Sequence, residues 1–197
     1  LIDPERLEET LRRDHANRRP RFVMPVHVAG EACDMERIGK SAKRHNLAVV
    51  EDAAHAFPVR TADGAVGALS DVGVFSFYAT KTITTGEGGM VVTHNEETAR
   101  RMRLMRMHGI DREVWERYRG VGRSWYYEVV EAGFKYNMPD LLAAVGRVQL
   151  NRAEEMKKKR SQIAERYNEA FSERDYLRLP PTDEDHAWHL YIIRLEL

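Results

Sequence analysis

The chain has 197 residues, of which 43% are apolar and 31% are charged, a composition typical of a soluble globular domain with a substantial core. Basic and acidic side chains balance at 31 each, so no net charge draws the chain to nucleic acid or to an anionic membrane surface. We therefore expect its partners to be small molecules and other subunits.

Strands and helices alternate through the first half of the chain. Asp3 is the predicted N-cap of an opening helix, and Pro4 suits the first turn of that helix. The further predicted elements of this half are a strand over 22–28, a helix over 34–46, a strand over 47–50, a turn around Asp63-Gly64 and a strand over 72–78. This βαβ alternation predicts an α/β fold with a mostly parallel sheet and flanking helices.

The second half is richer in helix. Its predicted elements are a strand over 90–93, a helix over 96–108, an irregular aromatic stretch over 109–133, a helix over 139–150, a helical segment over 156–171 and a strand over 188–197. The strand over 90–93 is expected to return beside the preceding strand because the connection is short. Near Asn151 the helix changes from apolar to heavily charged, and we place a domain boundary there. Residues 1–150 would form part of a large domain, and 151–197 the start of a smaller α+β C-terminal domain.

Both ends of the sequence look cut. It begins without Met, and its last strand has no further strand to pair with, so we expect a piece of a longer protein. Cys33 is the only cysteine, which excludes an intrachain disulfide and favours a reducing compartment. No apolar run reaches membrane-spanning length and no signal peptide opens the chain, so a cytoplasmic location without membrane contact is expected.

One lysine follows an apolar strand and precedes a glycine turn. A primary amine at Lys81 can form an imine with an aldehyde cofactor if burial and neighbouring groups keep part of it unprotonated. Asp52 and His55 follow the strand over 47–50, and ligands bind at such strand ends in open α/β sheets. An amine, an acid and an imidazole at one edge are the groups that pyridoxal phosphate chemistry needs.

Two rival nucleotide motifs are excluded at Lys81. A Walker loop needs glycine immediately before its Lys-Thr pair and another five residues earlier, but Thr80 and Phe75 occupy these places. The segment Gly86-Glu87-Gly88-Gly89 lacks the third glycine of a dinucleotide fingerprint and leads into a strand pattern. Taken alone, Lys81 would be interpreted as a solvated charge.

Seven segments change that interpretation, because together they resemble the DegT/DnrJ/EryC1/StrS family of sugar aminotransferases. These segments, in chain order, are VHVAG at 26–30, VEDAAHA at 50–56, SFYATK at 76–81, GEGGMV at 86–91, RMHG at 106–109, GFKYNM at 133–138 and HAWHLY at 186–191. The resemblance covers nearly the whole chain. It implies pyridoxal 5'-phosphate as cofactor and the large domain of the aspartate-aminotransferase fold, which is fold type I.

The resemblance implies roles for residues of the large domain. Lys81 would form the imine with the cofactor and then move the proton between the amino-acid carbon and the cofactor carbon. Asp52 matches the acid that pairs with the pyridinium nitrogen, and capping of a following helix is its alternative. His55 matches the residue near the ring hydroxyl and Ser76 a phosphate donor; their alternatives are a structural histidine and a strand serine bonded to backbone. His27 is expected to be a core histidine.

Three further residues match family positions in the second half. Lys135 and Asn137 lie where the family reaches the phosphate of the neighbouring subunit's cofactor, which implies a homodimer. Many members have Asn-Tyr-Arg across this triplet, whereas this chain has Lys135-Tyr136-Asn137, so both side chains stay candidates. His189 matches a substrate-side histidine of some members. A metal pair of His189 with His186 is rejected because no acid or cysteine completes it.

Two basic runs are predicted to be solvated helix faces. Arginines at 100, 101, 103 and 106 alternate with apolar residues that suit packing, and 157–160 form the run Lys-Lys-Lys-Arg. The neutral chain lacks the basic footprint of a nucleic-acid-binding protein.

The resemblance implies amino transfer from an amino acid, expected to be glutamate, to a nucleotide-linked keto sugar. The product would feed cell-surface glycans or a glycosylated metabolite. Sugar dehydratases of the family have histidine in place of Lys81, which argues against them, whereas synthases acting on other keto substrates remain open. The alternative from another class is a non-catalytic relic or interaction module, because the upstream glycine-rich phosphate cup and the aromatic that stacks on the cofactor are not found before Leu1. These 197 residues alone are expected to be inactive.

Overall fold

The structure, a computed structural model, describes residues 1–13, 20–111, 127–182 and 185–196. The helices are α1 Pro4–Arg13, α2 Met35–Arg44, α3 Glu96–Met105, α4 Asp140–Asn151 and α5 Ala153–Phe171. The strands are β1 Phe22–Val23, β2 Ala48–Asp52, β3 Arg60–Thr61, β4 Gly64–Ala65, β5 Val72–Ser76, β6 Gly89–Val92, β7 Leu177–Arg178 and β8 Arg194–Leu195. Within the described ranges, no helix is both long and apolar enough to cross a membrane.

The chain divides into two compact units. The first unit comprises Leu1–Val92 and Asp140–Leu197, and the second comprises Thr93–Pro139. The helix predicted from Pro139 ends at Asn151, and α5 starts again at Ala153. The division at Asn151 into a large and a small domain stays a prediction.

A mixed four-stranded sheet forms the centre of the first unit. Its strand order is β1-β2-β5-β6. Strands β1, β2 and β5 run parallel, whereas β6 runs antiparallel to β5 with Val74 opposite Val91. The α/β class and the return of the glycine-introduced strand are therefore confirmed.

Helix α2 packs its apolar face on the sheet. The Asp34 carboxylate accepts a hydrogen bond from the Arg37 N–H at 3.0 Å, which caps the helix as its sequence suggests. Ile38 is completely buried and lies in one cluster with Val23 of β1 and Val49 of β2. Burial of such a side chain contributes about 1.5–3 kcal/mol to folding. This core fixes β1 and β2, and hence the position of the sheet edge at their carboxyl ends.

The strand predicted over 22–28 is interrupted. After β1, a single parallel bridge joins Val26 to Asp52, and the backbone then turns at Val28–Gly30. Ala29 has a φ of 63°, in the left-handed region, which costs an alanine about 1–2 kcal/mol. Gly30 follows with a φ of 102°, where a Cβ atom would lie 2.9 Å from the Cβ atom of Ala187. The turn thus ends the strand and brings the backbone close to a distant segment.

The prediction that the last strand has no partner is wrong. β8 pairs antiparallel with β7, and Leu177 lies opposite Leu195. β7 is only two residues long, so it gives no periodic hydrophobic pattern that sequence analysis could detect.

Among its described residues, the second unit contains α3 and two antiparallel bridges. The Asn95 side chain caps α3 by accepting a hydrogen bond from the Thr98 N–H at 2.8 Å. No residue of α3 is buried, and Arg101 pairs with Glu131, which confirms the solvated basic face. The predicted irregular stretch over 109–133 falls partly on 112–126, which lie outside the described residues.

Candidate functional site

The carboxyl ends of β2 and β5 form the edge that carries the candidate site. Asp52 is the last residue of β2 and lies opposite Val74, while Ser76 is the last residue of β5. Because the two strands are parallel, Asp52 and Ser76 are at the same edge of the sheet. Both residues are half-buried, so a ligand at this edge can reach them.

The Asp52 carboxylate is held by its own turn. Its Oδ1 atom accepts a hydrogen bond from the Ala54 N–H at 3.0 Å. The main chain is fixed on both sides, because the Asp52 N–H donates to the Pro25 carbonyl at 2.9 Å and the Ala53 N–H donates to the Val74 carbonyl at 2.9 Å. Turns follow Asp52, so the structure does not contain the helix that the capping alternative requires.

Ser76 keeps its hydroxyl at the end of β5. The hydroxyl oxygen accepts a hydrogen bond from the Tyr78 N–H at 3.3 Å. This is the backbone contact that the strand-serine alternative expects. Since the oxygen acts here as acceptor, its own proton is available for an anionic group at the sheet edge.

Lys81 lies in the turn that connects β5 to β6. Its N–H donates to the Tyr78 carbonyl at 2.9 Å, and the Thr85 N–H donates to the Phe77 carbonyl at 2.9 Å. The next residue, Thr82, is buried, whereas Lys81 itself is half-buried. The turn therefore fixes the lysine backbone and leaves its side chain accessible at the edge.

Two histidine rings lie against each other near this lysine. The centroids of His55 and His189 are 4.3 Å apart, with the rings tilted by 40°. The Ala29 N–H donates to His55 Nδ1 at 3.3 Å, and the His189 N–H donates to the Ala29 carbonyl at 2.9 Å. Because Nδ1 of His55 accepts from an amide, the proton of its neutral ring is on Nε2. Ala29 thus orients one ring and holds the backbone of the other.

Burial and positive charge keep both rings neutral. Burial lowers the pKa of His55, and the Lys81 cation lowers it further, while Asp52 acts in the opposite direction. Burial, followed by His55, Lys81 and Arg160, lowers the pKa of His189 to about 4. These effects place Lys81, Asp52 and both histidines within electrostatic reach of one another.

A second polar cluster lies on the opposite face of β2. His27 and Glu51 are completely buried, and His27 Nε2 lies 3.2 Å from Glu51 Oε2. His27 Nδ1 accepts from the Cys33 N–H at 3.0 Å, so Nε2 of the neutral ring donates to Glu51. Glu51 also accepts from the Gly67 N–H at 2.7 Å, the Leu69 N–H at 2.8 Å and the Ser70 hydroxyl at 2.8 Å.

The hydrogen bonds decide the charge of Glu51. Burial alone would raise the pKa of this carboxyl, but the bonds from His27, Gly67 and Ser70 outweigh burial and hold the pKa below its usual value. The interpretation of His27 as a core histidine is confirmed. The Glu51 network was not predicted, although the alternation of β2 places Glu51 on the same face as the buried Val49.

Arg160 corrects the prediction for the second basic run. Its Nε donates to the Ala187 carbonyl at 2.9 Å, and its Nη1 donates to the Thr82 carbonyl at 3.3 Å. Burial lowers its pKa. The preceding Lys159 is 64% exposed and pairs with Glu155 at 2.6 Å. The solvated face predicted for this run therefore stops at Lys159.

The remaining predicted site residues are in the second unit. Lys135 is exposed, and its ammonium contacts Asn137 Oδ1. An antiparallel bridge joins Lys135 to Met107. The structure thus brings together Asp52, His55, Lys81 and His189, with Ser76 at the same edge, and pairs Lys135 with Asn137 separately. The roles of all seven stay predictions.

Comparison with known proteins identifies one family over the whole chain. The model of the DegT/DnrJ/EryC1/StrS aminotransferase family matches residues 1–197. A similar curated protein is the spore coat polysaccharide biosynthesis protein SpsC of Bacillus subtilis, which is 44% identical over 197 residues, 99% of this chain and 49% of SpsC. The chain spans about half the length of the curated relatives it matches.

Solved structures share the fold over the same extent. One is Helicobacter pylori PseC, an aminotransferase involved in the biosynthesis of pseudoaminic acid, with a TM-score of 0.87 and 30% identity over 99% of this chain and 49% of PseC. Another is the PLP-form of Spr1654 from Streptococcus pneumoniae, with a TM-score of 0.81 and 27% identity over 99% of this chain and 52% of Spr1654.

Proposed function

The chain belongs to the DegT/DnrJ/EryC1/StrS aminotransferase family, and on this basis we propose that the complete protein uses pyridoxal phosphate to transfer an amino group to a keto sugar. The observation that carries the proposal is the grouping of Lys81, Asp52 and His55 at one edge of the sheet. Spr1654, a structural neighbour, is solved in PLP and PMP forms, the two states that amino transfer alternates between.

The side chains at the edge fit the chemical groups of pyridoxal phosphate. Lys81 offers an amine to the aldehyde, and Asp52 offers a carboxylate to the ring nitrogen. His55 offers the Nε2 proton to the ring hydroxyl, and Ser76 offers a hydroxyl to the phosphate. When bound, the cofactor supplies the electron sink for cleavage of a C–H bond.

Each residue then has a defined task. Lys81 would hold the cofactor through its amine and, as the free amine, would move the proton. Asp52, fixed by the Ala54 N–H, would place its carboxylate against the ring nitrogen. His55 and His189 are neutral at pH 7, so their adjacent rings add no positive charge beside the Lys81 amine.

We assign the substrates more narrowly. A nucleotide-linked keto sugar is the proposed acceptor and glutamate the proposed donor, in the cytoplasm. The family resemblance supports this assignment, as do the biosynthetic names of SpsC and PseC. The retained alternative is a family synthase with a keto substrate that carries no nucleotide.

Borohydride reduction tests the cofactor assignment. The complete protein is loaded with pyridoxal phosphate, reduced, digested and mapped by mass spectrometry, and we expect the label on Lys81. The Lys81→Arg variant should carry no label, whereas Lys40→Arg, at an exposed position, should be labelled as in the unchanged protein. A label on another lysine, with none on Lys81, overturns the assignment. A folded protein without any label supports the non-catalytic alternative.

Two half-reactions test the substrates. Glutamate should convert the loaded protein to the amino form, which is followed by absorbance. Nucleotide-linked keto sugars should then return it to the aldehyde form, with the aminated sugar detected by mass. Return with a keto substrate that carries no nucleotide, other than the keto acid formed from glutamate, and with no nucleotide-linked sugar would favour the synthase.

We also propose a homodimer whose sites are shared through Lys135 and Asn137. Both side chains are in the segment that the family resemblance assigns to the neighbouring subunit's phosphate. Two inactive full-length variants, Lys81→Ala and the double variant Lys135→Ala, Asn137→Ala, are mixed under conditions of subunit exchange. One site of each heterodimer then collects both defects and the other is restored, so activity should partly return. A mixture that stays inactive despite demonstrated exchange contradicts the shared site.

A further inference from the structure

One guanidinium connects the segment after Lys81 to the segment before His189. Arg160, on α5, donates from Nη1 to the Thr82 carbonyl at 3.3 Å and from Nε to the Ala187 carbonyl at 2.9 Å. Thr82 directly follows Lys81, and both acceptor residues are buried. The side chain of a helix thus bridges the two stretches of backbone that carry the lysine and the histidine.

The opposite side of the histidine segment is bonded to the turn at Val28–Gly30. The Ala187 N–H donates to the Gly30 carbonyl at 2.8 Å, and the His189 N–H donates to the Ala29 carbonyl at 2.9 Å. The same turn donates the Ala29 N–H to His55. These bonds fix the two histidines to each other, but they do not reach the turn that contains Lys81. The described hydrogen bonds that connect this histidine segment to Thr82 are those of Arg160.

The geometry suits arginine and not lysine. A guanidinium has five N–H donors in a rigid planar fork, so it can hold two carbonyl groups at fixed separation, whereas an ammonium is a single point of attachment on a flexible stem. The buried Nη2 atom of Arg160 has no hydrogen-bond partner among the described residues. The two bonds from Nε and Nη1 therefore set the position of the guanidinium between the two carbonyl groups.

We propose that Arg160 is a positioning residue that holds the Lys81 turn and the His189 segment in one arrangement. The inference concerns the same site and rests on the proposed function for its catalytic meaning. It predicts that removal of the fork loosens both segments together, because each loses the contact that links it to the other. It also predicts slower amino transfer with cofactor attachment retained, because Arg160 acts through the backbone and not on the cofactor.

Hydrogen exchange in Arg160→Lys tests the hydrogen-bonding geometry of Arg160, because this variant keeps the positive charge. In the complete protein without cofactor, Arg160→Lys should accelerate amide exchange at 81–85 and at 187–190 by about tenfold, the effect of one charged hydrogen bond on local opening. Arg166→Lys, at an exposed position on the same helix, is the matched control and should leave exchange unchanged. Unchanged exchange in Arg160→Lys, or acceleration at one segment alone, overturns the role.

Titration of His189 measures the effect of the Arg160 charge. Burial is the first cause of the lowered pKa of this ring, and His55, Lys81 and the Arg160 guanidinium lower the pKa further. Arg160→Lys keeps a cation, so the ring should still titrate near pH 4, whereas Arg160→Gln should move the midpoint upward. If Arg160→Lys does not fold, the exchange measurement on Arg160→Gln decides in its place. Equal midpoints in Arg160→Gln and the unchanged protein would show that the guanidinium is not near the ring.

A second readout uses the loaded protein. Arg160→Lys should still be labelled at Lys81 by borohydride, and its half-reaction with glutamate should slow by about tenfold with unchanged cofactor binding. Accelerated exchange together with an unlabelled Lys81 in the unchanged protein would leave the positioning role standing and remove the proposed function. A normal half-reaction in Arg160→Lys despite faster exchange would overturn the catalytic meaning of the fork.

Discussion

Two polar clusters that meet at neighbouring residues of β2 differ in how completely they are paired. Glu51 points to the core with His27, is completely buried and accepts hydrogen bonds from four groups. Asp52 ends the strand at the sheet edge, half-buried, near Lys81 and two neutral imidazoles. A saturated buried network stabilises one conformation, whereas a cluster with unused donors and acceptors can bind a ligand. Because side chains alternate along β2, Glu51 belongs to the core and Asp52 belongs to the candidate site.

The clusters also differ in the charge state of their titratable groups. At Glu51, hydrogen bonds outweigh burial, so the pKa falls and the carboxylate stays ionised inside the core. At His189, burial and the neighbouring His55, Lys81 and Arg160 act in the same direction, so the ring loses its proton. Hydrogen bonds therefore keep the charge of the carboxylate that holds loops to the sheet, whereas burial and nearby cations remove the charge of the imidazole near Lys81.

Removal of the Glu51 carboxylate should have the largest effect. Glu51→Ala leaves His27, the buried Gly67 N–H and the half-buried Leu69 N–H without an acceptor, so we expect the free energy of unfolding to fall by about 3–5 kcal/mol. Glu51→Gln keeps one acceptor oxygen and should lose about 1–3 kcal/mol. Denaturant unfolding of the complete protein measures both, with Glu155→Gln at an exposed ion pair as control.

The same carboxyl predicts acid sensitivity. Its folded pKa lies below the usual value of 4.5, so its contribution is present above pH 4.5 and is lost as the pH falls through the folded pKa. The unfolding free energy should therefore drop below pH 4.5, and less so in Glu51→Gln. An Ala variant within 1 kcal/mol of the Glu155→Gln control would show that the buried network does not stabilise the fold.

Asp52 should behave in the opposite way. Asp52→Asn keeps the hydrogen bond from Ala54 but removes the negative charge, so stability should change little while proton removal from the donor slows by about 10²–10³-fold. Single-turnover absorbance with glutamate measures the slowed step, and borohydride labelling of Lys81 controls for cofactor attachment. An unchanged half-reaction would mean that Asp52 only closes its turn.

The sequence predicts those parts of the site that follow from local patterns. Apolar strands and their polar successors identify the edge with Asp52 and Lys81, because parallel strands end at the same side of a sheet. Strand alternation also contained the signal for Glu51, since Val49 and Glu51 are two residues apart and both buried. The alternation alone does not predict a buried carboxylate, because acidic residues are rarely found in a core.

Sequence patterns do not predict the long-range contacts of the site. Arg160 stands in a run of four basic residues, and its two acceptors are 27 and 78 positions away, so no local spacing distinguishes it from Lys159. Likewise, Ala29 reaches His55 across 26 positions through a left-handed backbone that an alanine seldom adopts. Tertiary packing determines these contacts, whereas hydrophobic periodicity predicts only local structure.

The smallest effect concerns the charge state of His189. Replacing the lysine by Lys81→Met removes one cation beside the ring, so the pKa should rise from about 4 but stay below 6.5, because burial is its first cause. Since the folded pKa lies below that of the unfolded chain, the neutral ring's stabilising contribution is present above pH 6.5 and is lost as the pH falls toward 4. Lys81→Met should weaken this pH dependence, whereas Lys40→Met, at an exposed position, should not. Imidazole NMR titration of the cofactor-free complete protein measures the midpoint. An unchanged midpoint in Lys81→Met would separate the lysine from the histidine pair and leave burial as the reason for the neutral ring.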